Sequence, residues 1–304
     1  MSFLVELPVE LYDLHAFAGF SPDANFAKNA LAMSWMSQLA YETRVPATIR
    51  DVGKKWGLSE IAVIRQPSKS TLPMSATRAV AANRDGATII AFAGTDPLNL
   101  LNWVSDFYLG HPKADVHEGF SDAAAAVWPE ISELIEDASR QGRRIFLTGH
   151  SLGAAIALVI ADRAAQEKRL KSAEIFVYGA PRVGRADFVA RYNANFGSTT
   201  YRFVHGRDIV PSVPPAELGF HHVGRYLSCG SGEKFDLTLM GALPDTDEPS
   251  MGQDLFTGVA ARLRNLAGSP SRASRFDTLG DLTEILAPSI GDHLPDRYYG
   301  ALSP

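Results

Sequence analysis

The stretch Arg143–Ala165, RRIFLTGHSLGAAIALVIADRAA, sets Ser151 between a short apolar run and a run of small residues. A serine at a tight strand-to-helix turn projects its hydroxyl above the sheet edge. The first turn of the following helix supplies unpaired N–H groups and the positive end of the helix dipole. That is where the oxyanion of an acyl transfer would form. The turn brings the residues two before and two after the serine close together, and Gly149 and Gly153 occupy those positions, with His150 and Leu152 between. At about 7% glycine, a bare Gly-x-Ser-x-Gly arises by chance in roughly one chain in ten of this length. The strand and helix predicted on either side are what give the motif weight.

A serine nucleophile needs a base, and the base needs an orienting acid. In hydrolases built on this turn the order along the chain is Ser, then Asp or Glu, then His. Only four of the eight histidines follow Ser151, namely His205, His221, His222 and His293. Asp208, in YRFVHGRDIVPSVPP, lies just past a predicted strand, where functional side chains gather at the carboxyl ends of an open α/β sheet. Asp187 is the rival acid. Spacing alone does not choose a base between His293 and the His221/His222 pair. His150, beside the serine, reads as structural, and His117 reads as a packing or hydrogen-bonding residue. No HExxH, paired CxxC or Walker loop occurs, so neither a metal nor another cofactor is expected.

The elements that must position these groups follow from periodicity. Apolar residues at helical spacing predict an amphipathic helix over Asn25–Tyr41. Strands are predicted at Ile61–Arg65, Arg78–Ala82, Ala87–Ala93, Arg144–Thr148, Glu174–Tyr178 and Thr199–Val204, with helices at Asp122–Ser139 and Ser151–Ala165. Asp85-Gly86 marks a turn. Strands alternating with helices indicate an α/β fold around a mostly parallel central sheet with flanking helices. Residues 97–104, PLNLLNWV, read as a short amphipathic helix offering Leu98, Leu101 and Trp103 to a lipid face. The region of about 230–290 is rich in Gly, Pro, Ser and Asp and reads as an irregular or helical insertion, with helices at Asp254–Leu266 and Leu279–Leu286. No internal repeat is visible, and residues 1–304 read as a single domain.

The composition bounds the possibilities. The chain has 304 residues, 46% of them hydrophobic, and a formal net charge of -5. That charge argues against nucleic acid as the main partner, since a phosphate-binding face needs a basic domain. The one cysteine, Cys229, excludes an intrachain disulfide. The N-terminus carries Glu6, Glu10 and Asp13 and no basic residue before Lys28, which is not the pattern of a secretory signal. The longest apolar runs are too short to span a membrane. The expected location is cytoplasmic, or exported by a route not written in the sequence. Oligomeric state is left open.

Taken in order, several motifs resemble the class 3, fungal-type lipase family of α/β-hydrolases. AFAGTDPLNLLNWVSDF (91–107) is similar to the family's strand, oxyanion loop and lid. VHEGF, TGHSLGAA, YGAPRVG, RDIVPSVPP and GFHHVGRYL follow in family order, and DHLPDRYYG resembles the motif bearing the family's catalytic histidine. The resemblance covers roughly Ala87 to Cys229 and Gly291 to Gly300. It implies an α/β-hydrolase fold with Ser151 as nucleophile, Asp208 as acid and His293 as base. It also implies an oxyanion hole from Thr95 and the Leu152 N–H, and a lid over about 96–105. His222 matches a position that is structural in the family. Ala93 stands where the family commonly has Arg, and the Asp208-to-His293 segment is longer than usual.

The implied activity is hydrolysis of carboxylic esters, foremost triacylglycerols or other acylglycerols, through an acyl-enzyme. The implied partner is a lipid ester at an oil–water or membrane interface. A lidless carboxylesterase, a phospholipase A1 and a non-catalytic lipid-binding relative are the alternatives.

Overall fold

The computed structural model describes residues 6–23, 25–68, 75–95, 114–241 and 290–304. At its centre is one sheet of seven strands that follow one another in space as in sequence, β1 to β7. They are β1 (Ser59–Pro67), β2 (Ala76–Arg84), β3 (Ala87–Phe92), β4 (Arg144–His150), β5 (Glu174–Tyr178), β6 (Thr200–His205) and β7 (Arg225–Cys229). β1, β2 and β3 pair antiparallel, and β3 through β7 run parallel. All six residues of β3 and all but the first of β4 are buried, as expected where a parallel sheet is covered on both faces. The β2–β3 turn is Asp85-Gly86, both at positive φ (48° and 79°), the conformation that suits a two-residue hairpin.

Helices cover both faces. α3 (Glu118–Arg140), α4 (Leu152–Gln166) and α5 (Ala186–Phe196) pack one core with Phe92, Leu147, Ile175 and Val177. α1 (Phe26–Leu39) and α6 (Pro295–Leu302) pack the other, with Val80, Ala91, Phe146, Phe176 and Phe203. This alternation along each strand sends successive side chains to opposite cores. α2 (Pro46–Lys55) joins the second layer through Ile49 and Val52.

Several elements depart from the expectations. α1 is not amphipathic in its setting, because every residue from Asn29 to Leu39 is buried. One side meets the sheet, where Thr148 Oγ1 donates to the Met33 carbonyl and Tyr178 Oη to the Ala30 carbonyl. Another side is closed by α6, with Trp35 and Tyr299 stacked at 3.9 Å. β7 was not anticipated: only Leu227 of its five residues is buried, so an edge strand leaves little hydrophobic signal. α2 and α5 were also missed, being short and flanked by Pro and Gly. The helices expected at 97–104, Asp254–Leu266 and Leu279–Leu286 lie outside the described residues. Among the described residues no helix is long and apolar enough to cross a membrane.

α3 begins four residues earlier than expected because His117 caps it, its Nδ1 accepting from the Gly119 N–H at 3.2 Å. Burial pulls the His117 pKa from 6.5 down to about 4. The folded state therefore holds this imidazole neutral while the unfolded chain takes a proton, so its contribution is present above pH 6.5 and is lost as pH falls towards 4. Asn is a good cap with no such titration. Replacing His117 with Asn is expected to flatten the fall in unfolding free energy between those pH values, by up to about 1.4 kcal/mol per pH unit. Urea denaturation of both proteins across that range checks it.

Candidate active site

Ser151 is the single residue between β4 and α4, with φ 60° and ψ −130°. A non-glycine residue held in such a region costs about 1–3 kcal/mol and persists only where the surroundings over-determine it. Those surroundings are tight. A Cβ on Gly149 would stand 2.3 Å from the Gly153 carbonyl, and one on Gly153 would stand 2.1 Å from the Phe92 carbonyl oxygen. The Ser151 N–H donates to the Tyr178 carbonyl at 3.0 Å, tying the turn to the end of β5.

Thr95 follows β3 as Ser151 follows β4, and these strands pair in parallel with Phe92 opposite Gly149. Both residues therefore sit at the same carboxyl edge of the sheet. Their side-chain oxygens are buried and make no hydrogen bond to the described residues. A buried hydroxyl left unpaired costs free energy, and such groups call for an explanation. Leu152 opens α4, where first-turn N–H groups lack an intrahelical acceptor.

The acid and the imidazole come from two loops 85 residues apart. His293 Nδ1 meets Asp208 Oδ2 at 2.8 Å, with both side chains buried. The same carboxylate oxygen accepts from Tyr298 Oη, and Oδ1 accepts from the Val210 N–H at 2.8 Å. Gly179 (φ 55°), next to the Tyr178 carbonyl that holds Ser151, packs on this pair. A Cβ there would lie 2.6 Å from Asp208 Oδ2 and 3.0 Å from His293 Nδ1. The rival Asp187 is exposed in the first turn of α5. The His221 backbone N–H bonds the Gly184 carbonyl, and His222 Nε2 donates to the Pro211 carbonyl at 2.9 Å. His205 Nε2 accepts from the Gly232 N–H.

His150 is fully enclosed. Its Nε2 lies 2.6 Å from the His293 carbonyl and its Nδ1 2.8 Å from Tyr41 Oη. Burial first, and the neighbouring His293 second, push its pKa well below the usual value, so the ring is neutral. A carbonyl only accepts, so Nε2 carries the proton and Nδ1 accepts from Tyr41. The His150 side chain thus fastens the backbone of His293 from behind.

Asp292 fastens it from the other side. Its Oδ2 accepts from the Arg207 N–H at 2.9 Å and from Ser231 Oγ at 2.6 Å, and Oδ1 lies 3.5 Å from His205 Nδ1. One carboxylate therefore joins the loop bearing Asp208 to the segment bearing His293. Tyr41, Gly179, Asp292 and Tyr298 were not anticipated. Tyr298 and Asp292 lie inside DHLPDRYYG, but nothing in their type or spacing marks them. Tyr41 and Gly179 act only through distant partners.

Residues 96–113, which include Leu98, Leu101 and Trp103, lie outside the described set. The residues beyond them are fastened to α5. Asp115 Oδ1 accepts from the Phe188 N–H, its carbonyl accepts from the Arg185 N–H, and its Oδ2 pairs with Arg191 at 3.3 Å. Among the described residues no group of acidic, His or Cys side chains could hold a metal ion.

Residues 89–218 match the family model described as lipase (class 3). The chain is 37% identical over 159 residues to a lipase of Rhizomucor miehei, covering 49% of this chain and 44% of that protein. It is 34% identical over 137 residues to secreted mono- and diacylglycerol lipase 1 of Fusarium solani, covering 41% of this chain and 39% of that one. The chain thus spans less than half the length of these relatives. Among solved structures, the propeptide complex of the Rhizomucor miehei lipase aligns with TM-score 0.53 at 27% identity, covering 70% of each chain. A triacylglycerol lipase whose catalytic centre is described as a serine protease triad aligns with TM-score 0.54 at 29% identity, covering 67% of this chain and 81% of that one. The matched segment carries the serine turn, the Asp208 loop, most of β3 and strands β4 to β6, and it is over this segment that the chain is similar to the class 3 lipase family.

Proposed function

We propose that this protein hydrolyses carboxylic esters of acylglycerols through Ser151, His293 and Asp208. The observation that carries the reading is the buried Asp208–His293 contact at 2.8 Å, at the sheet edge where Ser151 is held. His293 takes the proton of Ser151 Oγ as that oxygen attacks the ester carbonyl. Asp208 holds the imidazole with Nδ1 protonated, so that Nε2 faces the reaction, and it stabilises the imidazolium that forms. The N–H groups of Thr95 and Leu152, with the Thr95 hydroxyl, receive the oxyanion. His293 then gives its proton to the leaving alcohol, and water releases the fatty acid from the acyl-enzyme.

Acylglycerols are favoured as substrates because the relatives are named as lipases of tri-, di- and monoacylglycerols. Residues 1–304 are proposed to act as one hydrolase unit, with about 96–105 as a lid and about 230–290 as a cap. Leu98, Leu101 and Trp103 would form the lipid-facing side of the lid, matching apolar surface to an oil phase.

Ser151→Ala is expected to leave thermal unfolding nearly unchanged and to lower ester turnover by several decades. A p-nitrophenyl ester assay beside fluorophosphonate labelling checks this, and an active, labelled alanine variant overturns the assignment. Gly179→Ala places a methyl group against the acid–base pair at a positive φ, so kcat is expected to fall about tenfold or more, with stability lowered by about 1–3 kcal/mol. For the lid, the rate on tributyrin should rise above the solubility limit. A rate that passes that limit without a break assigns the chain to the lidless esterases, and a preference for phospholipid vesicles assigns it to the phospholipases A1.

A further inference from the structure

The oxyanion loop is held by a cation from the neighbouring strand. Arg78 lies on β2 directly opposite Ala93, whose N–H donates to the Arg78 carbonyl at 3.0 Å. The pairing of Ala79 with Phe92 places the Arg78 side chain on the α1 face, with Val80 and Ala82. Its guanidinium reaches over the end of β3 and donates through Nη2 to the Gly94 carbonyl at 3.2 Å and through Nη1 to the Tyr41 carbonyl at 3.3 Å. The cation also lies 5.9 Å from the centroid of the Tyr41 ring.

The Gly94 carbonyl and the Thr95 N–H belong to one planar peptide unit, so holding the oxygen sets the direction of the N–H. Glycine gives that unit little restraint of its own. A side chain at 94 is not possible in any case, since its Cβ would stand 2.2 Å from Tyr41 Oη and 2.6 Å from the His150 carbonyl oxygen. The peptide that bears the proposed oxyanion donor is therefore flexible by composition, and its orientation has to come from outside. A cation on the carbonyl oxygen also polarises the amide, which makes its N–H a stronger donor. Burial disfavours the Arg78 charge, and the nearby Arg44 and Arg65 oppose it. Tyr41 and Glu6 act in the opposite direction, and the two carbonyl bonds give the guanidinium acceptors.

The same residue touches the other half of the site. Tyr41, whose carbonyl Arg78 holds, donates its hydroxyl to His150, and His150 holds the His293 carbonyl. One guanidinium thus spans the oxyanion loop and the first link behind the imidazole.

We propose that Arg78 is a positioning residue for ester hydrolysis, clamping the Gly94–Thr95 peptide so that the Thr95 N–H points at the developing oxyanion. The proposal rests on the hydrolase reading above. Losing one oxyanion donor costs about 10²–10³ in rate, so misaiming one is expected to cost about tenfold or more. In Arg78→Met, kcat on a soluble p-nitrophenyl ester should fall by that factor while KM stays within about twofold. Affinity for phenylboronic acid, which forms a tetrahedral adduct on the serine, should fall in parallel. Arg78→Lys keeps a cation but loses the fork, and should recover part of both. If Arg78→Met folds poorly, the lysine variant alone carries the comparison with wild type. Variants with wild-type kcat and boronate affinity overturn the Arg78 assignment and leave the hydrolase reading intact. Loss of kcat only in step with thermal stability, with boronate affinity kept, also overturns it. A wild-type chain that hydrolyses no ester and takes no fluorophosphonate label overturns the hydrolase reading, and this inference with it.

Discussion

The Asp208 carboxylate is the point on which the site converges. It is buried, and a buried carboxylate is tolerated only when its oxygens find donors. Three donors meet it from three parts of the chain: the Val210 N–H in its own loop, the His293 imidazole and the Tyr298 hydroxyl. Two of these lie in the last stretch of the sequence, His293 just before α6 and Tyr298 within it, and α6 packs on α1. Docking of the C-terminal segment and satisfaction of Asp208 are therefore one event. If α6 left the sheet, the carboxylate would lose two of its partners, and the imidazole its orientation.

Around that contact the structure uses closeness of backbone instead of bulk. Gly149, Gly153, Gly94 and Gly179 are each at positions where a Cβ would meet backbone or a site atom at under 3.0 Å. Three strand ends, of β3, β4 and β5, are thereby drawn together at one edge. A parallel sheet with helices on both faces makes such an edge available, because each strand delivers its next residue to the same side. The hydroxyls of Ser151 and Thr95, which make no hydrogen bond among the described residues, are found at that edge.

A second layer holds the first in place. His150 is neutral because it is enclosed, and neutrality lets it accept from Tyr41 while donating to the His293 carbonyl. Asp292 joins the loops of the acid and the base through the Arg207 N–H and Ser231. Asp115 and its partners on α5 fasten the chain just before α3. The roles proposed for Ser151, Asp208 and His293 draw on all three anchors, since an attack geometry a fraction of an ångström off is costly.

Much of this was legible from residue order. Continuous apolar runs marked β3, β4 and β5, Asp-Gly marked the hairpin, and the glycines about Ser151 marked the sharp turn, because each is a local demand of backbone or burial. Elements whose identity depends on neighbours were not legible. β7 is recognisable as a strand only because β6 pairs with it, and α1 is buried all round only because α6 covers its outer side. For the acid, the place of Asp208 just past a strand favoured it, with Asp187 as the rival. For the base, spacing left several histidines open until family resemblance singled out His293. The contact between Asp208 and His293 belongs to the tertiary structure, because it depends on loops 85 residues apart being folded onto one edge. No pattern along the chain encodes that distance. The sequence by itself determined where β1 to β6 and the sharp serine turn lie, since these are local demands of burial and backbone; only the packed fold decided which distant side chains Arg78, Tyr41, Gly179 and Tyr298 would touch.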